Sequence, residues 1–360
     1  MTEQSEFSKR RQQLLPTLEE HRAQAFVITA LPNVRYLSGF TGSNGALLLT
    51  PDRALLFTDP RYQTQAPLES DCEVKISKRS LPSEIAVWIK RFRAKTVAFE
   101  SNRISYSEYS ALGEAAMKVK LKGIDAAVEG LRMVKSPAEV EAIRRSVQLN
   151  STALASALKR FRYSMTEAEL AAEIDYQMRR LGADGTAFDT IVASGTRSAL
   201  PHAHPTAAGV LRDELLLVDM GSSVAGYASD MTRTFAVGKL DTRKKRLFRA
   251  VLESQLAAID SVKAGAACAS VDRSSRALLA SHGLDKLFIH STGHGLGLEI
   301  HERPRIGRKE KMKLQAGMVI TIEPGVYDEA VGGVRIEDTV VVTQDGCEIL
   351  TPTKKELVTL

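Results

Sequence analysis

LLLVD at residues 215–219 and MVITIE at residues 318–323 are two apolar stretches of strand character, and each ends in a carboxylate. Each is followed by a second segment with another acid, Asp230 after the first and Glu337 after the second. A single acid at the end of a strand is usually a turn residue, because carboxylates are rarely buried unless paired or bound to metal. Four acids at matched places instead indicate two related halves that face one another.

The spacing of these acids suits a shared site. From Asp219 to Asp230 the chain advances eleven residues, and from Glu323 to Glu337 it advances fourteen. On paired strands such spacings bring each pair to one face of a sheet. Four carboxylates in contact repel one another strongly unless cations lie between them, and their number suits two divalent ions that share ligands.

The duplication extends to the segments around the strands. Two helices are predicted over 137–181, ahead of the strands at 214–236, and two more over 242–262 and 270–283, ahead of the strands at 317–343. The first helix begins with the capping pattern SPAE at 136–139, although polar residues interrupt its apolar stripe. The second begins with TEAE at 166–169, carries Leu170, Ile174, Met178 and Leu181 as its stripe, and ends at Gly182.

The N-terminal part has a different pattern. A polar helix is predicted over 7–23, a strand over 25–28, a hairpin over 46–57 and a strand over 97–99, which together indicate an α/β domain. We therefore expect two domains, residues 1–127 and 128–360, with the boundary in the interval 127–135. A chain of 360 residues accommodates two domains, each with its own core.

A histidine-rich stretch, HSTGHGLGLEIH at 290–301, supplies a candidate nitrogen ligand at His294. A nitrogen among oxygen ligands favours a transition ion over Mg²⁺ or Ca²⁺. The glycines also spell G-x-G-x-G, but they lack the strand before and the helix after that a dinucleotide site needs. The following HERPR is not a zinc-binding HExxH, because the second histidine is missing and Pro304 would break the helix.

Composition narrows the class of protein. The net charge is +6 and the pI about 9.1, but the basic runs are scattered and no aromatic series accompanies them, so no nucleic-acid partner is expected. The three cysteines form no CxxC, the N-terminus is polar, and no apolar run is long enough for a membrane span. A cytoplasmic protein without a membrane partner is the expectation.

Four segments together resemble the metallopeptidase family of aminopeptidase P, prolidase and methionine aminopeptidase. They are DMGSSVAGYASDMTRT at 219–234, the histidine stretch at 290–301, EPGVY at 323–327 and GGVRIEDT at 332–339. The resemblance implies an α/β pita-bread catalytic domain over 128–360. Residues 1–127 resemble, less specifically, the N-terminal domain shared by aminopeptidase P, prolidase and creatinase.

The resemblance also implies roles for individual residues. The expected ligands of a dinuclear centre are Asp219, Asp230, His294, Glu323 and Glu337. Glu323 would also relay a proton, and it forms the expected catalytic set with His301 and His202. The expected substrate-binding residues are His202, His301, Arg305 and Arg335, of which Arg335 would also fix Glu337 or a neighbouring ligand. The ions implied are two divalent metals, most readily Mn²⁺, with Co²⁺, Zn²⁺ and Fe²⁺ as alternatives.

The function expected from these features is hydrolysis of the bond before proline. We expect release of the N-terminal residue from Xaa-Pro peptides, as in aminopeptidase P, with a prolidase-like Xaa-Pro dipeptidase as the alternative. Arg305 favours the dipeptidase, because it would clamp a free carboxylate, whereas the segments at 38–43 and 59–62 look more like aminopeptidase P. A catalytically dead binding module with the same fold would have lost ligands that this chain keeps. The partners expected are a peptide with proline second and, as in many relatives, a second copy of the chain in a homodimer.

Overall fold

The computed structural model describes residues 5–360 and divides the chain into two compact units. The first ends at Arg132 and the second comprises Met133–Leu360. The short helix before the division belongs to the first unit, because Glu129 and Arg132 both bind the side chain of Asn33, at 2.9 and 2.6 Å. The domain boundary therefore follows this polar anchor.

The first unit is a six-stranded mixed sheet with helices around it. In chain order its elements are α1 (Glu6–Glu20), β1 (Ala25–Ile28), α2 (Leu31–Ser38), β2 (Gly45–Leu49), β3 (Ala54–Thr58), α3 (Gln65–Glu69), β4 (Glu73–Ile76), α4 (Leu81–Arg91), β5 (Thr96–Glu100), α5 (Tyr106–Ala115), β6 (Lys120–Ile124) and α6 (Ala127–Arg132).

The strand order in this sheet is β4-β3-β2-β1-β5-β6, with β1 antiparallel to β2 and parallel to β5. All four residues of β1 are buried, as expected of a central strand covered on both faces. Its core packs Val27 and Phe57 against Ile85 of α4. The helix, the hairpin and the strands predicted from the sequence are all present in this unit.

The second unit contains the repeated helices and strands. Its elements are α7 (Pro137–Leu158), α8 (Glu167–Arg180), β7 (Gly185–Thr186), β8 (Ile191–Ser194), β9 (Glu214–Met220), β10 (Ser222–Val224), β11 (Tyr227–Ala228), β12 (Met231–Val237), α9 (Thr242–Asp260), α10 (Cys268–Ser281), β13 (Gly293–Gly295), β14 (Glu302–Ile306), β15 (Val319–Ile322), β16 (Gly325–Asp328), β17 (Gly332–Arg335), β18 (Asp338–Val342) and β19 (Cys347–Ile349).

Both predicted capping boxes are present at the starts of α7 and α8. The side chains of Ser136 and Thr166 each accept a hydrogen bond from the backbone N–H three residues on. In return, the side chains of Glu139 and Glu169 accept the backbone N–H of Ser136 and Thr166. The stripe of α8 is buried up to Met178, but Leu181 is 42% exposed because the helix ends at Arg180. The apolar stripe predicted for this helix is therefore buried only as far as Met178.

The two halves of this unit share one strand pattern, and it contains more strands than the sequence predicted. In each half a short hairpin separates the two long strands: β10–β11 lies between β9 and β12, and β16–β17 lies between β15 and β18. The segment 317–343 thus holds four strands, where two were predicted. The inserted hairpins account for the long spacing between the paired carboxylates.

Polar residues on the buried face of α7 bind the backbone at the end of β9 and the start of β10. Asn150 donates to the carbonyl of Met220 across 3.0 Å, and Ser146 donates to the carbonyl of Ser222 across 2.9 Å. These bonds explain why the apolar stripe of this helix is interrupted. They fix the backbone immediately after Asp219.

Within residues 5–360, none of the helices combines the length and apolar character required to cross a bilayer.

Candidate active site

Five acidic and imidazole side chains converge where strands of the two halves end. Asp219 is the penultimate residue of β9 and pairs with Thr232, which puts Asp230 on the same face two residues away. In the other half the pairing of Ile322 with Asp338 is the last of β15 and β18, so Glu323 and Glu337 follow it directly opposite each other. Each half thus contributes two carboxylates to one place.

His294 joins this cluster from the middle of β13. Its Nε2 lies 3.3 Å from Oε1 of Glu323 and 3.6 Å from Oδ2 of Asp230. Ligand atoms of Asp230, His294 and Glu337 lie within 4.8 Å of one another, a spacing at which one metal ion can be held. Nδ1 of His294 is 3.0 Å from the carbonyl of Gly295, so Nε2 is the nitrogen that faces the carboxylates.

Two glycines allow His294 to take this position. A Cβ at Gly293 would lie 1.9 Å from the carbonyl oxygen of Thr321, and one at Gly295 would lie 2.2 Å from that of Arg303. Strand β13 is therefore pressed between its neighbours more closely than any side chain permits. The hydroxyl of Thr321 accepts the His294 backbone N–H at 3.0 Å, which further fixes the residue.

Arg335 connects the carboxylates to the surrounding structure. Its Nη2 donates to Oδ2 of Asp219 at 2.6 Å, its Nε donates to Oγ1 of Thr232 at 3.0 Å, and its Nη1 donates to the hydroxyl of Tyr327 at 2.7 Å. Thr232 in turn donates to Oε2 of Glu337 at 2.7 Å. The guanidinium was expected both to bind substrate and to fix Glu337 or a neighbouring ligand, and these contacts orient Asp219 directly and Glu337 through Thr232.

The donor set fits a pair of divalent cations. Oδ1 of Asp219 and Oε1 of Glu337 are buried and have no hydrogen-bond partner among the described residues, although the second oxygen of each is anchored. A buried carboxylate oxygen without a partner is costly unless a cation binds it. Four carboxylates and one imidazole match the ligands of transition ions with oxygen-rich coordination.

The electrostatics of the cluster lead to the same conclusion. Burial raises the pKa of both Asp230 and Glu337 well above the usual range, and repulsion from the neighbouring carboxylates adds to the effect. Burial also raises the pKa of Glu323 to about 7, although Arg335 opposes the shift. Burial lowers the pKa of His294, which favours the neutral imidazole that a metal requires. Nearby positive charge would stabilise the ionised form of all three acids.

The other predicted site residues line the same cavity, which has a volume of about 630 Å³. The rings of His301 and His294 are 4.4 Å apart in an edge-to-face arrangement. His202 and Arg305 are exposed on the cavity wall. The structure therefore brings every predicted site residue to one cavity, in which Arg335 is almost fully buried.

A buried ion pair supports the loop that carries His301. Nζ of Lys135 lies 3.1 Å from Oε2 of Glu302, and both side chains are almost fully buried. The Glu302 carboxylate also accepts the backbone N–H of Glu299 at 3.2 Å. A Cβ at Gly297 would meet this carboxylate at 2.7 Å, so the glycine leaves room for it. His301 therefore lies within a segment whose backbone these contacts fix.

Two residues of the site had no role assigned from the sequence. Nε2 of His290 is 2.8 Å from the hydroxyl of Tyr327, the same hydroxyl that receives Arg335. Because Nδ1 of His290 donates to the carbonyl of Ser291 at 2.8 Å, Nε2 of the neutral ring carries no proton and accepts from the tyrosine hydroxyl. Burial and the nearby arginines lower the pKa of His290 to about 4. Both residues lay within the segments that carried the family resemblance, but nothing in their spacing indicated this contact.

Comparisons with known proteins agree with this geometry. Residues 141–344 match the model of metallopeptidase family M24, and residues 10–134 match the creatinase/prolidase N-terminal domain. The chain is 36% identical over 350 residues to a Xaa-Pro dipeptidase of Pyrococcus furiosus, covering 97% of this chain and 99% of that protein.

Solved structures extend the likeness to the whole fold. A Xaa-Pro dipeptidase from Bacillus anthracis superposes with a TM-score of 0.96 at 35% identity, covering 98% of this chain and 100% of that one. An X-Pro aminopeptidase from Thermotoga maritima gives 0.90 at 37% identity, covering 96% and 100%. These matches confirm the expected α/β fold, a creatinase/prolidase-type domain followed by a pita-bread domain. Relatives of both named activities share it.

Proposed function

The chain belongs to metallopeptidase family M24, and on that premise we propose that it is a Xaa-Pro dipeptidase. The sequence favoured the aminopeptidase P type, with the dipeptidase as the alternative. The named relatives support the alternative better, because Xaa-Pro dipeptidases of two Pyrococcus species are 35% and 36% identical to this chain over nearly its full length.

The observation that carries the proposal is the position of Arg305. Its side chain is exposed on the wall of the cavity that contains the carboxylate cluster, and no described residue forms an ion pair with it. A guanidinium binds a carboxylate through two parallel hydrogen bonds. A dipeptide that ends in proline presents such a carboxylate next to its scissile bond, whereas a longer peptide presents a neutral amide there.

We propose that Asp219, Asp230, His294, Glu323 and Glu337 hold two divalent ions, with manganese as the first choice. When bound, the ions supply Lewis-acid activation of water and of the scissile carbonyl. The donor set and the two unpartnered oxygens support this assignment. The homodimer expected from the resemblance stays a prediction.

The remaining steps fall to the side chains of this chain. Glu323 takes a proton from the attacking water and delivers it to the proline nitrogen as that nitrogen departs. His301 lies beside the cluster and donates a hydrogen bond to the developing oxyanion. Arg305 holds the free carboxylate, and His202 lines the same wall and contacts the substrate. Arg335 keeps Asp219 and, through Thr232, Glu337 in place.

The test compares kcat/KM for Ala-Pro and Ala-Pro-Ala with manganese at one pH. We expect the dipeptide to be preferred tenfold or more, about 1.4 kcal/mol of transition-state discrimination, and Arg305→Ala to remove the preference. Lys311→Ala is the matched control, because this exposed cation lies in the loop after β14 but does not line the cavity. Faster cleavage of the tripeptide would return the assignment to the aminopeptidase P type, the activity named for the Thermotoga maritima neighbour.

A further inference from the structure

A second cavity of about 750 Å³ adjoins the catalytic one. The two share His290, Ser291 and Arg305 as wall residues, so the space beside the carboxylate cluster continues past Arg305. In the proposed dipeptidase reaction the carboxylate end of the substrate lies at Arg305. The second cavity therefore has no role in that reaction.

The wall of the second cavity is strongly cationic. Five cations and two carboxylates line it, an excess of three positive charges. The carboxylates are Asp285 and Glu310, and neither forms an ion pair with the wall cations. Within residues 5–360, the side chains of Lys286, Arg308 and Lys309 have no hydrogen-bonded or ionic partner. Like charges gathered without partners attract an anion.

One side of the cavity is held rigidly. The fifth cation, Arg276, pairs with Asp272 at 2.8 Å and donates to the backbone carbonyls of Phe288, at 2.8 Å, and His290. The guanidinium also stacks on the Phe288 ring, with 4.0 Å to its centroid. These contacts fix the backbone on both sides of Ile289, whose side chain is 68% exposed and lines the cavity. The wall therefore combines an apolar surface with unpaired cations, which suits a peptide segment that carries an acid.

We propose that this basic cavity is a subsite for an acidic residue that follows the proline, so that the enzyme also cleaves short peptides of the form Xaa-Pro-Asp and Xaa-Pro-Glu. The inference rests on the proposed Xaa-Pro activity and names the longer substrates that it accepts. Arg308 and Lys309 bind the acidic side chain, while the chain passes Arg305 through its amide. A third residue with a neutral side chain offers these cations only its terminal carboxylate.

The experiment compares kcat/KM for Ala-Pro-Asp and Ala-Pro-Asn, which differ in charge but hardly in shape. We expect the acidic peptide to be preferred roughly threefold to tenfold, since ion pairs between exposed groups are individually weak. The preference should shrink at 0.5 M NaCl, because salt screens exposed charges. In the double variant Arg308→Gln, Lys309→Gln the ratio should fall to about one, while Lys311→Gln, a neutralised cation outside the cavity, should keep the parent ratio.

The outcomes separate the two proposals. Hydrolysis of Ala-Pro in the parent enzyme tests the Xaa-Pro activity alone, whatever the third residue does. Equal rates for the Asp and Asn peptides, or a preference that survives the double variant, would overturn the subsite. Inorganic phosphate at 10 mM is the probe for a free anion: if phosphate alters Ala-Pro hydrolysis while the Asp-to-Asn ratio is one, the cavity binds a small anion and the subsite proposal is wrong. Circular dichroism of each variant verifies that it is folded.

Discussion

Arg335 and Asp219 form a buried ion pair at 2.6 Å that joins β17 of one half to β9 of the other. The arginine side chain is 5% exposed and that of the aspartate 12%. The same guanidinium reaches Thr232 and Tyr327, so one residue fixes groups from both halves around the cluster. The position of Asp219 therefore depends on a residue of the opposite half.

Replacing Arg335 by lysine should destabilise the protein and weaken metal binding. A single ammonium cannot reproduce a guanidinium that donates from three nitrogens, so lysine keeps the charge but loses hydrogen bonds to Thr232 or Tyr327. We expect a lower thermal midpoint and lower manganese occupancy by calorimetry. Arg243→Lys is the control, because Arg243 pairs with Asp328 at 2.8 Å with its side chain 66% exposed. Equal effects of the two substitutions would contradict the argument from burial.

Replacing Glu323 by glutamine should abolish most activity. The amide keeps the size and one oxygen but cannot accept the proton, so kcat for Ala-Pro should fall on the order of 10²–10⁴-fold, the usual contribution of a general base. Steady-state kinetics at saturating manganese measure this fall. Glu329→Gln, an exposed acid on the neighbouring hairpin, is the matched control. A Glu323→Gln enzyme within a few-fold of the parent would place the proton relay elsewhere.

Removing divalent metal should abolish activity and also destabilise the fold. Without cations the four carboxylates repel one another and the buried oxygens of Asp219 and Glu337 lack partners. Ions that bind only the native state stabilise it, so a chelator should lower the thermal midpoint and manganese should restore it. Chelator preloaded with manganese controls for effects of the chelator itself. Full activity in a preparation that elemental analysis shows to be free of metal would contradict the prediction.

His290 should lower the stability of the metal-free protein as the pH drops from 6.5 to 4, whereas the cluster carboxylates with raised pKa act in the opposite direction. Burial and the charge of Arg335 lower the pKa of His290 from 6.5 to about 4, so in this interval the unfolded chain binds a proton that the native state does not. The contribution of His290 is present above pH 6.5 and is lost as the pH falls through this interval. His290→Gln, which keeps an acceptor for Tyr327, should remove this contribution, so its free energy of unfolding should rise relative to that of the parent as the pH falls. Urea titrations at pH 7, 6, 5 and 4 on metal-free protein measure this, and identical slopes would show that His290 is not responsible.

The sequence predicted the parts of the site that rest on local pattern. The carboxylates follow apolar strands, and Ser136 and Thr166 begin their helices with capping boxes, so spacing alone located them. The hairpins inserted between the long strands were missed, because their strands have only two to four residues, too few for a clear alternating pattern.

Contacts between residues distant in the chain were beyond the reach of spacing. The bond from Asn150 to Met220 and the one between His290 and Tyr327 connect residues 70 and 37 positions apart. The sequence showed Asn150 only as a defect in an apolar stripe. Asn150 is polar because it binds a backbone carbonyl of β9. This requirement can be seen only once the helix and the strand are packed together.

The close packing of β13 between its neighbouring strands also limits which parts of this enzyme can change in sequence. Neither Gly293 nor Gly295 can gain a single carbon without meeting a neighbouring carbonyl, so mutation cannot move His294 while the sheet persists. The exposed rim around Arg305 and Arg308 is under no such constraint. New substrate preferences should therefore arise by substitutions in this rim while the metal-binding residues stay in place. A library randomised at 305–311 should yield altered selectivity far more often than one randomised at 293–297.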